Sequence, residues 1–148
     1  MRLTHDMLNH GVNIVCAAHD DKLGGLAVAW ATQIGTDHLL ICVGSQSYTR
    51  ELILASGAFG LSVLRADQLE ISRLFGRHSS RDTNKFADVA YSLGETGSPL
   101  LDDCAAALDC RVVQVHDWGR EKLIIGQVIS ARLTDEPYEP LIYRSSDY

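Results

Sequence analysis

Short apolar runs, separated by glycines and polar turns, recur along the whole chain. Most of them are rich in β-branched and small side chains, and one alternates with a period of two, with Phe59, Leu61 and Val63 on one side. Both patterns are typical of β-strands. The predicted strands are residues 11–19, 24–33, 38–43, 58–64, 110–118, 122–133 and 140–144.

Two helices are predicted between these strands. The first covers residues 49–56 and ends at Gly57, which suits a left-handed C-terminal cap. The second covers residues 67–75, with Asp67 as its N-cap and Glu70 at the capping-box position. Tight turns between most strands, interrupted by only two helices, predict a mostly β fold, an antiparallel β-barrel with appended helices.

Length and charge narrow the classes of function. A chain of 148 residues is expected to form a single domain, 1–148, and its 46% hydrophobic content is enough for a core without a metal or disulfide. The net charge of −6, with no basic run, argues against binding nucleic acid or an anionic membrane surface. No apolar run approaches the roughly 20 residues that span a bilayer, and the first residues show no secretory signal.

The cysteines indicate the compartment. Cys16, Cys42, Cys104 and Cys110 lack the short paired spacing of a zinc site, and the histidines form no metal-binding pattern. We therefore expect free thiols in a cytoplasmic protein and no bound metal.

A hydroxyl-rich turn after the third predicted strand carries the first candidate chemistry. Ser45, Ser47 and Thr49 lie at the start of the first predicted helix, with Arg50 in its first turn. A helix N-terminus offers unpaired N–H donors and partial positive charge, which suit a phosphate dianion. Hydroxyls and a guanidinium would add donors, although the same residues also suit an ordinary helix cap.

Five segments in order resemble one known family. They are GGLAVAWATQIG, SQSYTRELILASGAFGLSVL, FGRHSSRDTNKF, PLLDDCAAALDCRVV and EPLIYRSSDY, and together they cover the chain from about residue 11 to its end. This arrangement is similar to that of the flavin reductase-like, FMN-binding split-barrel family, which includes flavoredoxins and NAD(P)H:flavin oxidoreductases. The resemblance implies a six-stranded antiparallel split β-barrel and a homodimer with FMN at its interface; FAD is an alternative flavin.

The resemblance also implies a set of cofactor-binding residues. One strand would offer backbone groups to the flavin ring, the hydroxyl-rich turn would bind the phosphate and ribityl chain, and a later loop would close over the flavin. That loop also holds Arg77, and its cations could meet the phosphates of a nicotinamide cofactor or simply lie in solvent. The implied residues are Leu26, Ala27, Val28, Ala29, Trp30, Ser45, Ser47, Thr49, Arg50, Arg81, Lys85 and Phe86.

Two departures from the family pattern bear on activity. Gly24, Ala27 and Ala29 stand where members often have Asn, Thr and Ser, so only backbone groups of this strand remain for the flavin. Glu121 stands where NAD(P)H-dependent members carry a histidine near the nicotinamide. A carboxylate there would disfavour the pyrophosphate of the nucleotide and cannot act as a neutral imidazole.

Three functions follow from the resemblance. The first is an enzyme, a flavin reductase that transfers hydride from NAD(P)H to FMN and hands reduced flavin to a partner oxygenase. The alternative is a non-enzymatic FMN electron carrier, like a flavoredoxin, that is reduced by a partner protein. The third is a binding module that has lost its flavin. No acid–base triad is needed for hydride transfer, because the flavin supplies the redox chemistry.

Overall fold

The computed structural model describes all 148 residues. Its strands are β1 (Asn13–His19), β2 (Lys22–Val28), β3 (Ala31–Ile34), β4 (His38–Val43), β5 (Ala58–Val63), β6 (Tyr91–Leu93), β7 (Pro99–Leu101), β8 (Ala106–Trp118) and β9 (Glu121–Leu133). Its helices are α1 (Tyr48–Ser56) and α2 (Leu69–Arg77), with short 3₁₀ turns at His5–Met7, Ala66–Gln68 and Ser145–Asp147. None of the helices has the length and apolar character needed to cross a membrane.

The main sheet is antiparallel and runs in the order β2-β1-β5-β8-β9-β4-β3. Its two outermost strands, β2 and β3, are consecutive in the chain and are separated only by Ala29 and Trp30. The N–H of Cys42 donates to the carbonyl of Trp30 at 2.9 Å, so the bend itself joins the two ends of the sheet. Counted as one bent strand, β2 and β3 give the predicted six-stranded split barrel. The prediction of an unbroken strand over residues 24–33 was wrong.

The helices lie where they were predicted, with different ends. Ser47 caps α1, and Gly57 closes it in the left-handed conformation with a φ of 71°. The second helix begins at Leu69, not at Asp67, because a 3₁₀ turn precedes it in which Gln68 accepts from the Arg65 N–H at 3.0 Å.

A glycine near the end of α2 does not terminate the helix. The helix continues through Gly76 to Arg77. A Cβ on Gly76 would lie 3.4 Å from the Ala27 Cβ and 3.5 Å from the Tyr148 ring. These are ordinary van der Waals distances, so this end of α2 lies in contact range of β2 and the C-terminal segment.

Three segments differ from the sequence pattern in the second half of the chain. Residues 91–93 pair with β7 as a small separate sheet, and β8 begins at residue 106, four residues before the predicted start. Residues 140–144 form only single bridges, Gly11 with Ile142 and Arg65 with Pro140. A proline in this segment lacks the N–H that a continuous ladder needs.

Two apolar clusters place both helices against β2. Leu52 and Ile53 of α1 pack with the barrel interior, while Phe75 of α2 packs in a second cluster with Phe86 and Leu101. Gly25 of β2 makes the second contact close, since a Cβ there would lie 2.6 Å from the Phe75 ring. The first turn of α1 approaches Gly24 and the last turn of α2 approaches Gly25, so the two helices lie over the same strand.

Candidate functional site

A cleft in two neighbouring lobes follows the outer edge of β2. Each lobe has a volume of about 290 Å³, and both are lined by Leu26, Ala27 and Gly76. The first, apolar lobe continues along residues 28–30 and 42–44. The second, polar lobe lies between the first turn of α1 and residues 77–80 after α2. A ligand with a flat apolar end and an anionic end matches this division.

Backbone groups of β2 face the cleft. The Gly25 N–H donates to Ser80 Oγ at 3.0 Å, and the Gly25 carbonyl accepts from Ser80 Oγ at 3.0 Å, so both groups point away from β1. Alternate residues of an antiparallel strand share the direction of their backbone groups. The N–H and C=O of Ala27 therefore point outward too, into the part of the cleft that both lobes share.

Four aromatic side chains wall the apolar lobe. The rings of His5 and Trp30 lie 4.7 Å apart, those of His5 and Tyr143 lie 5.6 Å apart, and Tyr143 stacks on Tyr148 at 5.2 Å. Ten of the thirteen residues that line this lobe are hydrophobic, so it suits an apolar planar group.

The wall is held by contacts between the two terminal segments and α2. The Ser145 N–H donates to Asp6 Oδ1 at 2.9 Å, which joins the N-terminal segment to the C-terminal one. Arg73 Nε donates to the Asp147 carbonyl at 2.9 Å, and the Tyr148 hydroxyl bonds Ser72 Oγ. Both terminal segments are therefore fixed across one side of the cleft.

The polar lobe holds the donors that an anion requires. Ser47 Oγ accepts from the Arg50 N–H at 3.1 Å and so caps α1. The first turn of α1, which includes Thr49, lines the lobe. Arg77 and His78 line the same lobe at the end of α2, and Arg77 Nη2 donates to the Asp147 carbonyl at 3.2 Å. A helix N-terminus opposite a guanidinium is a favourable seat for a phosphate.

A buried lysine forms the back of the polar lobe. The Lys85 side chain is 2% exposed, and its Nζ donates to the carbonyls of Gly25 at 2.8 Å and Phe75 at 2.7 Å. Burial lowers the pKa of Lys85 to about 8, while the neighbouring Cys16 acts weakly in the opposite direction. The ammonium thus connects the edge of β2 to the end of α2.

The structure gathers only part of the set that the resemblance implies. The residues that line the cleft are Leu26, Ala27, Val28, Ala29, Trp30, Ser47, Thr49 and Lys85. Ser45 and Arg50 line neither lobe, and Arg50 binds carbonyl groups instead. Arg81 pairs with Glu51 at 3.1 Å, and Phe86 packs in the core against Phe75 and Tyr91.

Several cleft residues were not singled out from the sequence. Gly76 and Ser80 belong to the loop that the resemblance places over the flavin but were not among the implied binding residues, and His5, Tyr143 and Tyr148 come from terminal segments far apart in the chain. Two tyrosines five residues apart near the C-terminus were the only available signal for the aromatic wall.

Glu121 lies beside the far end of the apolar lobe. It is the half-buried first residue of β9, next to the end of β4. Burial raises the pKa of the Cys42 thiol, and the charge of Glu121 raises it further. Since Cys42 lines the apolar lobe, the Glu121 charge acts at this end of the cleft.

The comparison with known families decides the identity of this barrel. A model of the flavin reductase like domain matches residues 5–148. The chain belongs to this family. The expectations of a flavin reductase-like oxidoreductase and a split barrel are thereby confirmed.

Individual relatives of this flavin reductase-like chain are close over most of their length. It is 32% identical to "Flavin-dependent monooxygenase, reductase subunit HsaB" of Mycobacterium tuberculosis, over 93% of this chain and 74% of that protein. It is 34% identical to "FMN reductase (NADH) RutF 2" of Rhizobium rhizogenes, over 95% of this chain and 82% of that protein.

Solved structures agree on the fold. The NADH:FAD oxidoreductase SgcE6 of Streptomyces globisporus superposes with a TM-score of 0.85 at 27% identity, covering 92% of this chain and 82% of that one. An FMN-binding protein of Thermus thermophilus superposes with a TM-score of 0.91 at 20% identity over 100% of this chain and 89% of that one, a likeness of fold alone.

Proposed function

We propose that this chain is an FMN-binding flavin reductase, a single domain that transfers hydride from NAD(P)H to flavin. The observation that carries the proposal is the two-lobed cleft along β2, apolar at one end and lined by a helix N-terminus and Arg77 at the other. Family membership supports the same reading, as do the names of relatives that are FMN or flavin reductases.

The residues present fit a flavin. The apolar lobe has a backbone edge at Ala27 and an aromatic wall, which suit a ring with polar edges. The polar lobe offers Ser47, Arg77 and His78 to a phosphate. A flavin bound there would supply hydride and electron transfer chemistry, which protein side chains lack.

The chain's own residues would bind the flavin, orient its ring and shield one side of the ring from water. Ala27 would hydrogen-bond the ring through its backbone, and Arg77 with the first turn of α1 would hold the phosphate. Tyr143, Tyr148 and Trp30 would exclude water from one side of the ring. Such positioning supplies the orientation that hydride transfer needs.

The proposal predicts flavin binding at micromolar affinity or better. A micromolar dissociation constant corresponds to about −8 kcal/mol, which one dianion and one buried ring can supply. Titration with FMN, followed by quenching of flavin fluorescence, measures it, and anaerobic mixing with NADH or NADPH then tests reduction. No quenching at high micromolar protein would contradict flavin binding and leave the binding-module interpretation.

An electron carrier is the second candidate function, and Glu121 is the observation that favours it. Its charge lies at the end of the apolar lobe, where it would oppose the phosphates of a nucleotide. A carrier would bind FMN and receive electrons from a partner protein.

Glu121→His should raise kcat/KM for NAD(P)H about fivefold, because relief of like charge at a partly screened distance contributes about 1 kcal/mol. The affinity for FMN should stay nearly unchanged. Stopped-flow bleaching of the flavin by each nucleotide measures the change. Absence of bleaching in both wild type and variant would select the carrier.

An oxygenase is the partner that the relatives favour. One relative is named as the reductase subunit of a flavin-dependent monooxygenase, and another as the reductase component of a resorcinol hydroxylase. We propose that this chain likewise delivers reduced flavin to an oxygenase.

We also propose a homodimer formed through the outer half of β8. Pairing with β5 ends at Arg111, so the following residues have β9 on one side and an open edge on the other. Val113, Val115 and Trp118 on this stretch are 46%, 39% and 69% exposed. An open edge with exposed apolar side chains suits pairing with a second copy.

Val115→Asp should convert the dimer into a monomer, because a charge at a self-pairing edge is strongly unfavourable. Leu93→Asp is the matched control, since Leu93 is also exposed but lies on β6. Light scattering at micromolar concentration measures the mass. A monomeric wild type that still binds FMN would overturn the dimer.

A further inference from the structure

Arg50 connects two loops that border the cleft from different parts of the chain. Its Nη1 donates to the Arg120 carbonyl at 3.2 Å and to the Val43 carbonyl at 3.5 Å, and its Nη2 donates to the Ser45 carbonyl at 3.4 Å. One planar guanidinium therefore spans the end of β4, the β4–α1 loop and the β8–β9 turn. The rigid fork of a guanidinium suits three acceptors that lie on different segments.

Both connected loops border functional parts of the cleft. The β4–α1 loop leads directly to Ser47, which caps α1 at the polar lobe. The β8–β9 turn consists of Gly119 and Arg120, with Gly119 at a positive φ of 62°, and is followed at once by Glu121. Glu121 is the residue whose charge acts on Cys42 in the apolar lobe.

The β9 side of the turn is tied to the barrel because Lys122 pairs with Val43 of β4, whereas the β8 side has no such partner. The flanking residues Asp117 and Lys122 form an ion pair within the hairpin itself, and β5 does not extend far enough to pair with this part of β8. Lys122 and then Arg50 lower the pKa of Asp117, which places the Arg50 charge beside the turn as well.

We infer that Arg50 is a positioning residue that fixes the β8–β9 turn against the β4–α1 loop and thereby sets where Glu121 stands at the cleft. This inference rests on the proposed function, because it assigns Glu121 to the side on which NAD(P)H enters. It differs from a phosphate-binding role for Arg50, since the guanidinium is engaged by three carbonyl groups and Arg50 lines neither lobe.

Arg50→Met tests whether Arg50 fixes the β8–β9 turn against the β4–α1 loop, with Arg50→Lys as a partial replacement and Arg2→Met as the control. Arg2 is exposed and takes part in no hydrogen bond or ion pair. In Arg50→Met, amide hydrogen exchange at residues 118–121 should become about tenfold faster, because local opening is no longer opposed by the bonds to the turn. The exchange rate in Arg50→Lys should lie between those of Arg50→Met and wild type.

Kinetics separate this role from flavin binding. Arg50→Met should raise KM for NAD(P)H about threefold with kcat nearly unchanged, since the loss of this cation leaves the Glu121 charge at the entrance less compensated while the flavin site persists. The ratio of FMN to riboflavin affinity should stay the same. A selective loss of FMN affinity, or unchanged exchange at the turn, would overturn the inference. If wild type fails to reduce flavin, the proposed function fails, while hydrogen exchange and the affinity ratio still decide whether Arg50 fixes the turn.

Discussion

Arg77→Met should weaken FMN binding about ten- to a hundredfold and leave riboflavin binding within about threefold. Riboflavin has the ring and ribityl chain of FMN without its phosphate. Arg77 lines the polar lobe with the first turn of α1, and its Nη2 donates to the Asp147 carbonyl at 3.2 Å, a bond that a dianion in the lobe would replace. Loss of a charge-assisted hydrogen bond costs about 1.5–3 kcal/mol, which gives that range. Fluorescence titration with both ligands measures it.

Arg81→Met is the matched variant for this prediction. Arg81 is a cation of the same loop, but it pairs with Glu51 and lies 4.8 Å from the Tyr48 ring, outside the polar lobe. Its replacement should leave the ratio of FMN to riboflavin affinity unchanged. Equal losses for both ligands in Arg77→Met would show that Arg77 does not contact the phosphate, and a selective loss in Arg81→Met would assign that contact to Arg81.

The strands were predictable because the barrel is formed from local apolar runs of ordinary strand length. Closure of the barrel was not predictable, because the break between β2 and β3 at Ala29–Trp30 has no glycine or proline to mark it. It depends on β2 pairing back with β1 while β3 pairs forward with β4, two local hairpins that are joined through the distant strands β5, β8 and β9. A continuous apolar run conceals such a change of partner.

The candidate site, like the fold, was predictable only in part. The family resemblance implied residues 26–30 and Ser47, and all of them line the cleft because one strand and one helix cap position them. The direction of Arg50 depends on a turn 70 residues away, whose carbonyl accepts its guanidinium. The aromatic wall joins His5 to Tyr143, and no local pattern announces a contact of that separation. Local chemistry was therefore visible in the sequence, whereas contacts between distant segments were not.

Lys85→Met should remove a pH dependence of folding stability that the buried ammonium creates. Burial lowers the pKa of Lys85 to about 8, below the ordinary value of 10.5 that it regains when the chain unfolds. Between these values the unfolded chain holds a proton that the folded chain has released, so stability rises with pH. The free energy of unfolding of wild type minus that of Lys85→Met should therefore increase by about 2 kcal/mol from about pH 7 to about pH 9.5.

Urea unfolding at the two pH values measures this difference, and Lys22→Met is the control because Lys22 is exposed at the start of β2. Subtracting the variant cancels every other titrating group that both proteins share. A constant difference would mean that water reaches the Lys85 ammonium. A difference that grows with pH would show that the link from Gly25 to Phe75 holds a desolvated charge behind the polar lobe. An anion bound in that lobe would then favour the protonated lysine, so phosphate binding should weaken as Lys85 loses its proton.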